Sequence, residues 1–228
     1  MTALRVLTDL ARPARRAPTL LVLLPGALQT PETLLEEGMA AAVRARGLAV
    51  DIALVDPGLA TIGEATDGSV AARLESLLAP ARRDYRSLWL AGVSLGGFMA
   101  LAHAARSPGR VDGMFLLAPY PGNRLLTGAI EAAGGPAAWA AATVATAGIA
   151  DDEENVWRWL AQNGPAGRPE IHLGHADADR FAGGQRLMAQ LLPPQRVDLI
   201  AGGHDWPSWR TLWNNFLDRH GERFNGVA

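Results

Sequence analysis

Ser94 sits in Gly92-Val93-Ser94-Leu95-Gly96, a serine with a glycine two residues away on each side. The apolar run Leu88-Trp89-Leu90-Ala91 precedes it, and an Ala/Leu/Met-rich stretch to Ala105 follows. This order predicts a short buried strand that turns sharply into a helix, with Ser94 at the turn. Such a turn strains the central residue and brings strand and helix so close that its flanks must be nearly free of side chains. Gly92 and Gly96 meet that demand. The serine hydroxyl would project above the sheet at a helix N-terminus, where unpaired N–H groups and the positive dipole end suit a developing oxyanion. A glycine-rich turn with a merely structural serine has the same five-residue pattern, so the flanking strand and helix carry the argument.

A serine hydroxyl is a weak nucleophile at neutral pH. It needs an adjacent base, and the base needs a carboxylate to orient it. His204 lies in Ala201-Gly202-Gly203-His204-Asp205-Trp206, directly after the apolar run 196–200. Asp177 and Asp179 both lie directly after the run 170–175, in Ala176-Asp177-Ala178-Asp179-Arg180. Spacing alone leaves both aspartates as candidates. With His172 and His175 they could also form a metal cluster, but alternation along a strand points these histidines off different faces or edges, which argues against it. His103 reads as a packed mid-helix histidine, and Asp84, Asp112 and the acidic run 151–154 as turn and helix-start charges. No Gly-x-Gly-x-x-Gly follows a strand, so a dinucleotide site is unsupported.

The elements that must position these residues alternate along the chain. Apolar strands are expected at 19–24, 50–55, 88–91, 113–117, 170–175 and 196–200, with a further edge strand at 4–7 in an otherwise frayed N-terminal arm. Helices are expected at 30–46, opened by Thr30-Pro31 and ended by Gly47, and at 69–83, 95–105, 181–192 and 208–220. Strands separated by helices predict right-handed crossovers and an α/β, doubly wound, mostly parallel sheet. The segment 119–169 breaks the rhythm. It holds helical pieces at about 125–133, 136–147 and 151–162, and reads as a helical cap inserted over the sheet edge. Trp139, Trp157 and Trp159 would line a pocket there or, more commonly for tryptophan, simply pack.

At 228 residues the chain suits a single domain spanning 1–228 with a sizeable core. A net charge of −2, with arginine as the only strong base, gives no electrostatic case for nucleic acid or an anionic membrane. The absence of cysteine excludes disulfides, thiolate metal sites and a cysteine nucleophile. No apolar run reaches membrane-spanning length and residues 1–18 lack a signal-type apolar core, so a cytoplasmic protein is expected.

The order Ser94, Asp, His204, each after a strand, resembles the α/β-hydrolase family over about residues 19–220. In that family the acid loop often reads His-Gly-x-x-Asp-Arg-x. His175-Ala176-Asp177-Ala178-Asp179-Arg180-Phe181 is similar, with Ala176 in place of glycine, and selects Asp179. Gly174-x-x-Asp177 looks like a shorter form of the loop and keeps Asp177 as rival. The resemblance implies an oxyanion hole made by the N–H of Leu95 and one from the loop after the first buried strand. That second donor is Ala27 in Leu24-Pro25-Gly26-Ala27; Pro25, where many members have histidine, leaves Leu28 as the alternative. Gly203-His204-Asp205-Trp206 resembles the histidine loop of serine esterases, with Trp206 and Trp209 packing the final helix. The implied activity is hydrolysis of a carboxylic ester through a Ser-His-Asp triad and an acyl-enzyme. No cofactor and no metal are implied, and the partner is a small-molecule ester or thioester. An acyl thioesterase or acyltransferase acting on a carrier-bound acyl group is the alternative in chemistry. A non-catalytic ligand-binding protein of the same fold is the alternative in class. Oligomeric state is not readable from the sequence.

Overall fold

The computed structural model describes residues 4–58, 62–142, 151–164 and 168–225. Seven strands form one sheet: β1 (Arg5–Asp9), β2 (Thr19–Leu24), β3 (Val50–Asp56), β4 (Ser87–Val93), β5 (Gly113–Leu117), β6 (Glu170–Ala176) and β7 (Val197–Ile200). Their spatial order is β1-β3-β2-β4-β5-β6-β7. Only β1 runs antiparallel, along β3, and all other pairings are parallel.

The helices are α1 (Pro31–Glu36), α2 (Met39–Ala45), α3 (Ser69–Asp84), α4 (Leu95–Arg106), α5 (Arg124–Ala132), α6 (Pro136–Ala142), α7 (Asp152–Asn163), α8 (Ala182–Ala189) and α9 (Trp206–His220). Continuous apolar strands have this pattern because both faces are covered. In β2, Leu20, Val22 and Leu24 point into a core shared with α3, α4, α7 and α8, while Leu21 and Leu23 point into a second core beneath α1, α2 and α9. No helix among the described residues is long and apolar enough to cross a membrane.

Chain order reverses between β2 and β4, which lie side by side with Leu24 opposite Gly92. A crevice opens at the carboxyl ends of strands where the order reverses. Here it brings the loop after β2 next to the turn after β4. Buried Asp51 on β3 ties down the N-terminal segment by accepting the N–H groups of Ala11 (3.0 Å) and Ala17 (3.1 Å) and the Tyr85 hydroxyl (3.1 Å).

Several boundaries differ from the sequence expectation. The single helix expected over 30–46 is two helices, broken where Gly38 takes a left-handed conformation (φ 78°). The break lets Leu34 and then Met39, Ala40 and Val43 face the same core; a five-residue step from Leu34 to Met39 would leave one face of a straight helix. The final helix starts two residues early because Asp205 caps it by accepting the Ser208 N–H at 3.0 Å, with Pro207 in the first turn. The helical piece expected over 136–147 is helix to Ala142, and the rest lies outside the described residues. The three tryptophans of segment 119–169 are buried with Phe98 and Met99 of α4, and Trp157 donates its indole N–H to Pro121 O at 2.8 Å.

Two glycine substitutions test this packing. A Cβ at Gly96 would overlap the backbone carbonyls of Leu24 and Pro25, whereas one at Gly128, exposed in α5, meets nothing within 4 Å. Gly96→Ala should lower unfolding free energy by about 2 kcal/mol or more, and Gly128→Ala should raise it by up to about 1 kcal/mol, as read by urea unfolding.

Candidate active site

Ser94 occupies the turn between β4 and α4 at φ 51° and ψ −114°, a conformation that costs a non-glycine residue energy. The surroundings hold it there. Its N–H donates to Leu117 O at 2.8 Å, and its carbonyl accepts the N–H groups of Gly97 and Tyr120, both at 3.0 Å. Side chains at Gly92 or Gly96 would overlap backbone across the turn, so both glycines are sterically required.

His204 reaches Ser94 from the loop after β7, with Nε2 2.8 Å from Ser94 Oγ. Its Nδ1 lies 2.7 Å from Asp179 Oδ2. An ionised carboxylate can only accept, so Nδ1 carries the proton and the Nε2 lone pair faces the serine hydroxyl. The imidazole is gripped edge-on by two rings, Phe181 and Trp209, each with its centroid 5.0 Å away. Burial pushes the Asp179 carboxyl up. Hydrogen bonds from His204, from the Phe181 N–H at 2.7 Å and from the side chain of Gln185 outweigh that effect and hold it below the usual carboxylate range.

Asp177, two residues away, has a different position. It is exposed, and its Oδ1 accepts the Gly202 N–H at 3.1 Å while its own N–H donates to Ile200 O at 3.0 Å. It therefore staples the aspartate loop to the histidine loop. Gly202 adopts φ 147°, and a Cβ there would strike Ser208 Oγ, which accepts the Gly203 N–H at 3.0 Å. The histidine loop is thus fixed at both of its glycines.

Ala27 and Leu28 are the two central residues of a turn closed by Gln29 N–H to Gly26 O at 3.3 Å. Leu28 takes a left-handed φ of 61° and its side chain is 95% exposed. Gln29 Oε1 accepts the Gly26 N–H at 2.9 Å and clamps the turn. Among the described residues no backbone carbonyl accepts the N–H of Ala27, Leu28 or Leu95. Donors left unpaired above the strand ends are available to a substrate oxygen.

Sequence reasoning did not find Gln29, Gln185 or Phe181. Gln29 carries a short-range signal, a side chain three residues past a glycine in a tight turn; the others act through contacts that only the fold creates. His172 turns away from the site toward Glu170 (2.7 Å) and His220, and burial lowers its pKa to about 4. Among the described residues no group of three or more His, Asp or Glu side chains is placed to hold a metal ion.

The arrangement predicts an asymmetry between the aspartates. Asp179→Asn should lower any turnover that runs through Ser94 by about 10⁴-fold through the wrong imidazole tautomer, whereas Asp177→Asn should stay within about tenfold of wild type. If the Ala27 N–H receives the charge that develops on the substrate, Gln29→Ala should reduce kcat by about tenfold with little change in KM, since it loosens a donor rather than a binding surface. Asp179 also has a stability signature. With its folded pKa depressed, its contribution is present above the unfolded value of about 3.9 and is lost as pH falls through the folded value. Urea unfolding of wild type against Asp179→Asn should show that contribution shrinking on acidification below about pH 4.

Comparison with known proteins places the chain in a family and a fold. Residues 64–219, more than half of the chain, match the Esterase family. No curated protein sequence matches the chain. A ferulic acid esterase has the same fold with a TM-score of 0.61 at 14% identity, over 94% of this chain and 97% of that one. An α/β serine hydrolase homologue from Coxiella burnetii gives 0.62 at 13% identity over 96% and 95%. An α/β serine hydrolase from Xanthomonas campestris, described as lacking a lid, gives 0.58 at 16% identity over 99% and 91%. The family match over residues 64–219 identifies the chain as a member of the Esterase family, and its sheet and structural neighbours give it the α/β-hydrolase fold.

Proposed function

We propose that the protein hydrolyses a carboxylic ester with Ser94 as nucleophile, His204 as general base and acid, and Asp179 as the group that orients His204. The observation that carries this reading is the unbroken hydrogen-bonded chain from Ser94 Oγ through the imidazole to Asp179, at 2.8 and 2.7 Å. Ser94 Oγ attacks the acyl carbonyl while its proton passes to His204 Nε2. The tetrahedral oxyanion receives hydrogen bonds from the N–H of Leu95 and of Ala27. Collapse expels the alcohol, which takes the proton from His204, and leaves an acyl-serine. Water then adds by the reverse arrangement, and the acid departs with Ser94 restored. Asp179 stays ionised throughout, and its charge stabilises the imidazolium formed at each tetrahedral step.

The segment 119–169 is read as the cap over the substrate. It supplies Tyr120, Asn123 and Thr127 to the wall of a cleft beside the site, with Arg180 and Phe181 opposite.

Hydrolysis of short p-nitrophenyl esters tests the proposal. Wild type should turn them over, and Ser94→Ala should lose about 10⁴-fold or more in kcat. Turnover that survives Ser94→Ala would overturn the assignment.

A further inference from the structure

A cleft of about 290 Å³ opens beside the site, lined by Tyr120, Asn123, Arg124, Thr127, Arg180 and Phe181 among others. Its volume is at the small end of ligand clefts, which run from about 300 to 1,000 Å³, and suits a short acyl or alcohol group. It adjoins the reacting atoms through one layer of side chain. Phe181 stands edge-on to His204 and 5.5 Å from the ring of Tyr120, whose backbone N–H donates to Ser94 O.

The cleft has a charge that the hydrolytic chemistry does not use. Among the described residues, neither Arg124 nor Arg180 forms an ion pair with a carboxylate. The Arg180 guanidinium carbon lies over the Phe181 ring, 4.8 Å from its centroid, and a guanidinium has five N–H donors, so a contact with a ring leaves donors for a ligand. The acids nearby accept from groups other than these arginines. Glu153 is only 5% exposed and accepts the Tyr120 hydroxyl (2.8 Å), the Asn123 N–H (2.9 Å) and the Asn123 amide (2.5 Å). Asp179 is bound to His204 and the Phe181 N–H. At Gly183 no atom lies within 4 Å of where a Cβ would stand, so the mouth of the cleft is open. An alkyl chain entering here would gain nothing from the two guanidinium groups, whereas an oxyanion would pair with them.

We infer that the ester cleaved at Ser94 carries an anionic oxygen group, a carboxylate or a phosphate, which docks between Arg124 and Arg180. This rests on the proposed hydrolytic role of Ser94, His204 and Asp179. The two arginines would be specificity-determining residues, holding the substrate at a distance from the reacting carbonyl.

The test is a ratio of kcat/KM values, which cancels any general loss from the substitutions. Acid release at constant pH compares monomethyl glutarate with methyl pentanoate, its uncharged counterpart. An acyl ester of glycerol phosphate is compared in the same way with the acyl glycerol, which separates carboxylate from phosphate as the source. Wild type should prefer the anionic member of at least one pair by about tenfold or more, and Arg124→Ala/Arg180→Ala should collapse that ratio by about 10- to 100-fold. Rising salt should shrink the wild-type ratio. Ratios near or below one in both pairs, or a ratio unmoved by the double substitution, would overturn the inference.

If no ester is turned over at all, the hydrolytic reading fails, and calorimetric titration with glutarate and inorganic phosphate decides the anion site separately. Binding that disappears in the double variant would support it. No binding of either anion by wild type would overturn it.

Discussion

At Gly96 the backbone of the β4–α4 elbow lies in contact with the carbonyls of Leu24 and Pro25 at the end of β2. That approach is possible only without a side chain, and the rest of the site depends on it. It places Ser94 at the reversal of strand order, beside the Ala27–Leu28 turn, and it aims the N-terminus of α4 at the space between them. The strain at Ser94 (φ 51°) is held by four backbone hydrogen bonds, to Leu117, Gly97, Phe98 and Tyr120, and by parallel pairing on both sides of β4. A local conformation that is unfavourable by itself persists because the sheet over-determines it.

The electrostatics follow from the same crowding. Asp179 and His204 are both nearly removed from water, where an isolated charge would be costly. The carboxylate is kept ionised by the imidazole, a backbone N–H and Gln185, so the charge is there before any substrate arrives. Phe181 and Trp209 exclude water from the imidazole edges and fix its plane. Phe181 also lines the neighbouring cleft, which couples the position of His204 to whatever the cleft holds. Such preorganisation lowers the reorganisation required when charge develops.

The sequence made some of this legible and left the rest hidden, for physical reasons. Ser94, Gly92 and Gly96 were readable because a strand-to-helix turn imposes local steric rules. His204 was readable because the chain leaves β7 through two glycines directly before it. The choice between Asp179 and Asp177 was not open to spacing, since both leave β6 toward the same edge. It is made by the hydrogen bonds of the Asp177 backbone and carboxylate to the β7 loop, which turn Asp179 inward. The α1–α2 break was hidden because Gly38 is tolerable within a helix until packing demands that Leu34 and Met39 share a face. β1 was visible only as a faint edge strand, because its burial is partial and its place is fixed by antiparallel pairing with β3, far along the chain. Gln185 and Phe181 carry no local signature, because their partners come from other elements.

The proposed mechanism requires a covalent acyl-serine at one position, and intact-protein and peptide mass spectrometry after brief exposure to a slowly turned-over activated ester tests that directly. An adduct of the acyl mass is expected on the peptide containing Ser94 and absent from Ser94→Ala. Continued ester turnover with no adduct, or an adduct on another residue that tracks turnover, would contradict it.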